Sequence, residues 1–198
     1  METSTTGFEG TSGRLGGAVM ARLNRDMEDA AVNELDPAPT DRVLAVGFGP
    51  GVGVAALVPR LPLGFVGGID PSSAMIDQAR RRNRAAVNEG RVQLVSAGAE
   101  AIPWPDDFFD GAVAVNSIQL WQPFDVSLYE VARVLSPGAS LVTVTHCWAV
   151  EKRSPVSLWV KTTTDTMQTH GFEEVTQHTA SFRSGEGLVL RARRARAC

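Results

Sequence analysis

Arg42-Val43-Leu44-Ala45-Val46-Gly47-Phe48-Gly49-Pro50-Gly51-Val52-Gly53 is an apolar run that breaks into alternating glycines, and an aspartate follows at Gly68-Ile69-Asp70, nineteen residues after Gly51. In a parallel α/β sheet this layout builds a nucleoside site. A buried strand ends, glycines let the backbone turn sharply and approach a ligand where a Cβ would collide, and the second strand delivers a carboxylate to ribose hydroxyls.

The glycine spacing narrows the ligand. A dinucleotide site needs Gly-x-Gly-x-x-Gly, but the sixth place is Val52 counted from Gly47 and Val54 counted from Gly49. No Gly-Lys-Ser or Gly-Lys-Thr follows, so a P-loop is excluded as well. Gly-x-Gly-x-Gly remains.

Outward from this stretch the chain alternates strand and helix patterns. Residues 1–13 are polar and glycine-rich and read as a mobile segment. Residues 17–33 place Val19, Met20, Leu23, Met27 and Ala31 at helical spacing, an added N-terminal helix. Leu35-Asp36-Pro37 stops it. Strands are expected at 43–46, 65–69, 92–95, 109–115 and 140–145, and helices at 51–60, from Asp70-Pro71-Ser72-Ser73 to 87, at 124–135 and at 155–170. Such alternation demands a parallel sheet. The last two strands, 174–182 and 187–192, are joined by four residues, too few for a parallel crossover, and must be antiparallel.

With that order in place, the chain resembles the class I S-adenosylmethionine (SAM)-dependent methyltransferases, in particular those acting on small molecules. The resemblance rests on Gly-x-Gly-x-Gly at 47–51, on Ile102-Pro103-Trp104-Pro105-Asp106-Asp107-Phe108-Phe109-Asp110, and on Glu130-Val131-Ala132-Arg133-Val134-Leu135-Ser136-Pro137-Gly138. It covers roughly residues 40–193. It implies a Rossmann-like, seven-stranded, mostly parallel sheet with a reversed last strand, helices on both faces and an extra N-terminal helix. One domain over residues 14–198 is expected: a lid helix at 14–39, a cofactor-binding core at 40–150, and a C-terminal helix with an antiparallel hairpin at 151–198.

The resemblance also implies roles. Gly47, Phe48, Gly49, Pro50 and Gly51 would face the methionine part of SAM, and Asp70 would accept both ribose hydroxyls. Pro71, Ser72 and Met75 would lie beside the adenosine, although Met75 reads equally as core. Gly98, Ala99 and Glu100 would lie at the adenine edge, and Asn116 and Ser117 under the sulfonium and methyl group. The acceptor pocket would draw on Met20, Asn24, Gln119, Trp121 and Trp148, with S-adenosylhomocysteine as the other product. His146 is the candidate base for a hydroxyl or amine acceptor, but a lone histidine beside Cys147 and Trp148 reads more readily as a satisfied loop residue.

Two positions depart from the family pattern. The acid usual two places before the first glycine is Ala45, and the acid that bonds the adenine amino group is Gly98. Hydrogen bonds to charged groups contribute roughly 1.5–3 kcal/mol each, so both absences predict weaker SAM binding unless other groups compensate. Glu100, or the N-terminal helix through Met20, Asn24 or Met27, is placed to do so. The alternative is a methyltransferase-fold protein with a weakened or lost site, serving as a binding module or a non-methylating catalyst.

Composition bounds the rest. The chain has 198 residues, 43% hydrophobic and 21% charged, the proportions of a globular domain. A net charge of -3 gives no electrostatic reason to invoke nucleic acid. The arginines at 80–84 and 191–196 keep RNA methylation as a third reading, but Asn116-Ser117-Ile118-Gln119 is not the Pro-Pro-aromatic sequence of nucleic-acid amino methyltransferases. No membrane span, signal peptide or metal-ligand spacing is found. The expectation is a metal-free cytoplasmic protein, monomer or homodimer, with a small-molecule methyl acceptor.

Overall fold

The computed structural model describes residues 24–196; the expected mobile segment 1–13, the start of the N-terminal helix and Met20 lie outside the described residues. Seven strands form one sheet in the order β3-β2-β1-β4-β5-β7-β6. They are β1 (Arg42–Val46), β2 (Phe65–Ile69), β3 (Val92–Val95), β4 (Phe109–Val115), β5 (Leu135–His146), β6 (Phe172–Phe182) and β7 (Gly185–Arg194). The pairs among β1 to β5 are parallel, while β7 runs antiparallel to both β5 and β6.

Alternation along the strands feeds two cores. Val43 and Ala45 of β1 join Met27 and Ala31 of α1 (Arg25–Leu35), Val54 and Leu57 of α2 (Val52–Leu57), and Ile76 and Ala79 of α3 (Ser73–Arg82). Leu44 and Val46 face the other side, with Leu128 and Val131 of α5 (Phe124–Val134) and Met167 of α7 (Val156–Thr169). Two short helices, α4 (Arg84–Asn88) and α6 (Cys147–Glu151), complete the α-helices among the described residues. Period-two side-chain direction thus covers both faces of the sheet.

The structure amends three expected boundaries. The helix expected to run on to residue 87 breaks at Asn83, whose amide donates to the carbonyls of Ala79 and Gly51, at 2.9 and 3.1 Å. Strand β5 begins at Leu135, because Leu135 already pairs with Phe109 before a register shift brings Gly111 opposite Ser140. The final hairpin is tighter and longer than expected, with only Arg183 and Ser184 between its strands.

The family-like Glu-x-x-Arg segment has a structural task. Arg133 donates to the carbonyls of Ile102 and Trp104, both at 2.9 Å, and to Asp106 at 2.8 Å. Its Nε bonds Glu130 at 2.7 Å, and Glu130 in turn accepts the N–H of Ile102 at 3.0 Å. The bond from Arg133, assisted by the Ile102 N–H, holds the Glu130 carboxyl below its ordinary pKa despite partial burial. This clamp fixes the loop that leads away from Glu100.

Candidate functional site

At the carboxyl ends of β1, β2, β3 and β4 lies a cavity of about 560 Å³. Open α/β sheets bind ligands at this edge. Its walls come from Asn24 at the start of α1 and Glu28 within it, Val46 to Pro50 and Val52 after β1, Ile69 to Ser72 with Met75 after β2, Ala97 to Glu100 after β3, and Val115 to Ser117 with Leu120 to Gln122 after β4.

The glycine turn is held from below. The N–H of Gly47 donates to the carbonyl of Ile69 at 2.8 Å, and Gly47, Gly49 and Gly51 all have positive φ, at 68°, 52° and 78°. Their surroundings differ. A Cβ on Gly49 would meet nothing within 4 Å, since this residue opens onto the cavity, whereas one on Gly51 would lie 2.6 Å from the Ala79 Cβ. Gly51 is not among the lining residues, and its lack of a side chain lets α2 and α3 pack closely.

Asp70 is buried, with 7% exposure. Its Oδ2 accepts the N–H of Gly49 and its Oδ1 that of Ser72, each at 2.9 Å. Burial raises its pKa, and the N–H groups of Ser72 and Gly49 oppose that rise. Each carboxylate oxygen has two acceptor sites, so one at each remains for another donor.

Beside β3, the carboxylate of Glu100 folds back over Gly98. A Cβ on Gly98 would lie 2.1 Å from Oε2 and 2.4 Å from Oε1. The acid absent at position 98 is thus replaced in space by the one two residues on.

On the β4 side, Asn116 adopts φ 51° and its Oδ1 accepts the N–H of His146 at 3.0 Å. Ser117 Oγ donates to the carbonyl of Val46 at 2.6 Å. Both residues line the cavity while their side chains tie β4 to its neighbours. Trp121 is buried in the wall, and its indole N–H has no partner among the described residues.

Besides Gly51, three expected residues are not among those lining the cavity. Gln119 turns toward β5, bonding the carbonyl of Asn116 at 3.0 Å and Thr145 at 3.4 Å. Trp148 stacks on His146 with ring centroids 5.4 Å apart and lies half-exposed beneath the Lys152 ammonium. His146 is buried, and its Nε2 pairs with Asn24 Oδ1 at 3.2 Å, so it reaches the cavity only through Asn24. Burial lowers its pKa, opposed by the Glu186 backbone and by Asp26.

Sequence reasoning missed Glu28, and with it the apolar wall of Val46, Val52, Ile69, Ala97, Val115 and Leu120. The signal for Glu28 was available: it lies four residues from Asn24 and three from Ala31, on the inward face of α1. Burial, reinforced by Asp29 and opposed by Arg82, pushes its pKa up to about 8.

Among the described residues, no group of three His, Cys, Asp or Glu side chains is placed to hold a metal, and no helix is long and apolar enough to cross a membrane.

Residues 43–138 match the family model described as a methyltransferase domain. The chain is similar to the uncharacterized methyltransferase YdaC of Bacillus subtilis, 32% identical over 63% of this chain and 66% of that protein. It is also similar to the fatty-acid O-methyltransferase of Mycolicibacterium smegmatis, 40% identical over 49% of this chain and 34% of that protein. The chain thus spans less than two thirds of these curated relatives. Among solved structures, a SAM-dependent methyltransferase from Aquifex aeolicus superposes with a TM-score of 0.72 at 18% identity, covering 91% of this chain and 97% of the other; at that identity the likeness shows the fold.

Proposed function

We propose that this chain, whose residues 43–138 match a methyltransferase-domain model, is a class I SAM-dependent methyltransferase that transfers the methyl group of SAM to a small organic acceptor. The carrying observation is the joint placement of the open Gly49 turn and the buried, still accepting Asp70 at one cavity. The cavity's volume lies within the usual range of roughly 300–1,000 Å³ for small-ligand sites.

When bound, SAM supplies an electrophilic methyl group on a cationic sulfonium. The residues' task is to hold and orient. Asp70 accepts the ribose hydroxyls with its remaining lone pairs, and Glu100 faces the adenine amino group from the space beside Gly98. Phe48, Met75 and Ala99 give apolar contact. Val115, Leu120 and Trp121 offer an apolar surface to the acceptor, which suits a small organic molecule and is supported by the name of the fatty-acid O-methyltransferase relative. Alignment of acceptor and methyl carbon while water is excluded supplies much of the rate enhancement. His146 would act on an acceptor proton only by way of Asn24.

The reading of a lost site is less favoured, because a carboxylate already stands where the side chain of residue 98 would stand. RNA methylation is less favoured too: Arg191, Arg193 and Arg194 are paired with Glu34, Glu174 and Asp107.

The test is incubation with methyl-labelled SAM and a panel of fatty acids, phenols and amines. Transfer of label to at least one acceptor, with matching S-adenosylhomocysteine, is expected. No transfer and no S-adenosylhomocysteine across the panel would contradict the proposal.

A further inference from the structure

We propose that Glu28 is the binding partner of the α-ammonium of SAM, filling from the N-terminal helix the acidic place that Ala45 leaves open. The inference rests on the SAM reading above and adds a residue to it.

The sequence directs Glu28 inward. Met27 and Ala31 are fully buried against the sheet, and Asn24 and Glu28 continue that face of α1 to the cavity. Ala45 lies in the same core cluster as Met27 and Ala31, so an acid moved from β1 to α1 remains on one side of the sheet.

Gly53 makes room for it. A Cβ on Gly53 would lie 2.2 Å from Glu28 Oε2 and 3.0 Å from its Cδ, so the carboxyl group sits in the space of a missing side chain beside the glycine turn. Among the described residues, the Glu28 side chain makes no hydrogen bond. A half-buried carboxylate without a partner is costly, and it favours the neutral form until a cation arrives.

The order of acids along the sheet edge selects the cation. Reading β3, β2, β1, the cavity presents Glu100, Asp70 and then Glu28, beside Gly53 in the first turn of the helix that follows β1. An adenosyl amino acid presents donors in the same order: an adenine amino group, a ribose diol and an α-ammonium. Charge-assisted bonds are the strong ones, and a buried site strengthens them.

The carboxyl is mostly protonated at pH 7, given its pKa of about 8. Ammonium binding requires the ionised form, so the Glu28 proton passes to solvent. Asp29 on its own helix disfavours the ionised form, Arg82 favours it, and Asp70 and Glu100 share the cavity.

Calorimetric titration of the intact chain and of Glu28→Gln tests this with two ligands: S-adenosylhomocysteine, and 5′-methylthioadenosine, which has the adenosine thioether but no amino acid. The substitution should weaken homocysteine-ligand binding tenfold or more and change methylthioadenosine binding less than twofold. In buffers of different ionisation enthalpy at pH 7, the unmodified chain should release close to one proton with the first ligand and the variant none. Glu28→Asp should restore part of the lost affinity. An equal loss for both ligands would mean that Glu28 only shapes the fold, and unchanged affinity with slowed turnover would make it a base for the acceptor; either overturns the proposal. If the unmodified chain binds neither ligand, the SAM reading itself fails.

Discussion

The three turn glycines look alike in sequence and differ in what they permit. At Gly51 both the left-handed backbone and the Ala79 contact oppose a side chain. Gly51→Ala should cost about 2–4 kcal/mol of stability by denaturant unfolding. At Gly49 only the backbone objects, so Gly49→Ala should cost about 1 kcal/mol while its methyl enters the cavity and weakens S-adenosylhomocysteine binding about tenfold or more. Equal unfolding costs would refute this division. Asp70→Ala should weaken the same ligand tenfold or more, and Asp70→Asn, which keeps one acceptor, by less; unchanged affinity would leave Asp70 as a tie between the turns at Gly49 and Ser72. The acid on the second strand was legible because its spacing from the glycines is set by one helix and one strand. The locations of Gln119 and His146 were not, because each is decided by a side-chain partner on another element, Thr145 and Asn24, and that of Trp148 follows from its stacking on His146.

Among the elements, the clamp of Arg133 and Glu130 illustrates how a motif can serve a site without touching it. It secures the loop beyond Glu100 through three backbone groups, those of Ile102 N–H, Ile102 C=O and Trp104 C=O. Glu130→Gln should cost about 1–3 kcal/mol at neutral pH, a figure below that for fully buried pairs because solvent reaches this one. The sign with pH follows from the lowered pKa. Glu130 stabilises the fold above the ordinary carboxylate value of 4.5, and that contribution disappears as pH falls through its lower folded value. Urea unfolding at pH 7 and at pH 3 should therefore show the gap between chain and variant narrowing in acid, and a constant gap would contradict it. The limits of β2, β3 and β4 were readable because their apolar runs are bounded by turn residues. The break at Asn83 was not, since it depends on a bond to the distant carbonyl of Gly51.

Across the whole molecule, sheet order gathers the turns after β1, β2, β3 and β4 at one edge, so residues separated by 90 positions or so share a cavity. The alternating pattern revealed this edge, and the short final connection revealed the reversed strand. Sequence named Glu100 as the acid that could stand in for the one absent at Gly98, but it could not reveal the partner proposed for the place of Ala45, because Glu28 approaches through the space left by Gly53. The most direct measurement is a crystal structure of the chain with S-adenosylhomocysteine. The account predicts the nucleoside in the cavity between Gly49 and Met75, with both ribose hydroxyls on the Asp70 carboxylate. A ligand bound elsewhere, or a ribose turned away from Asp70, would contradict it.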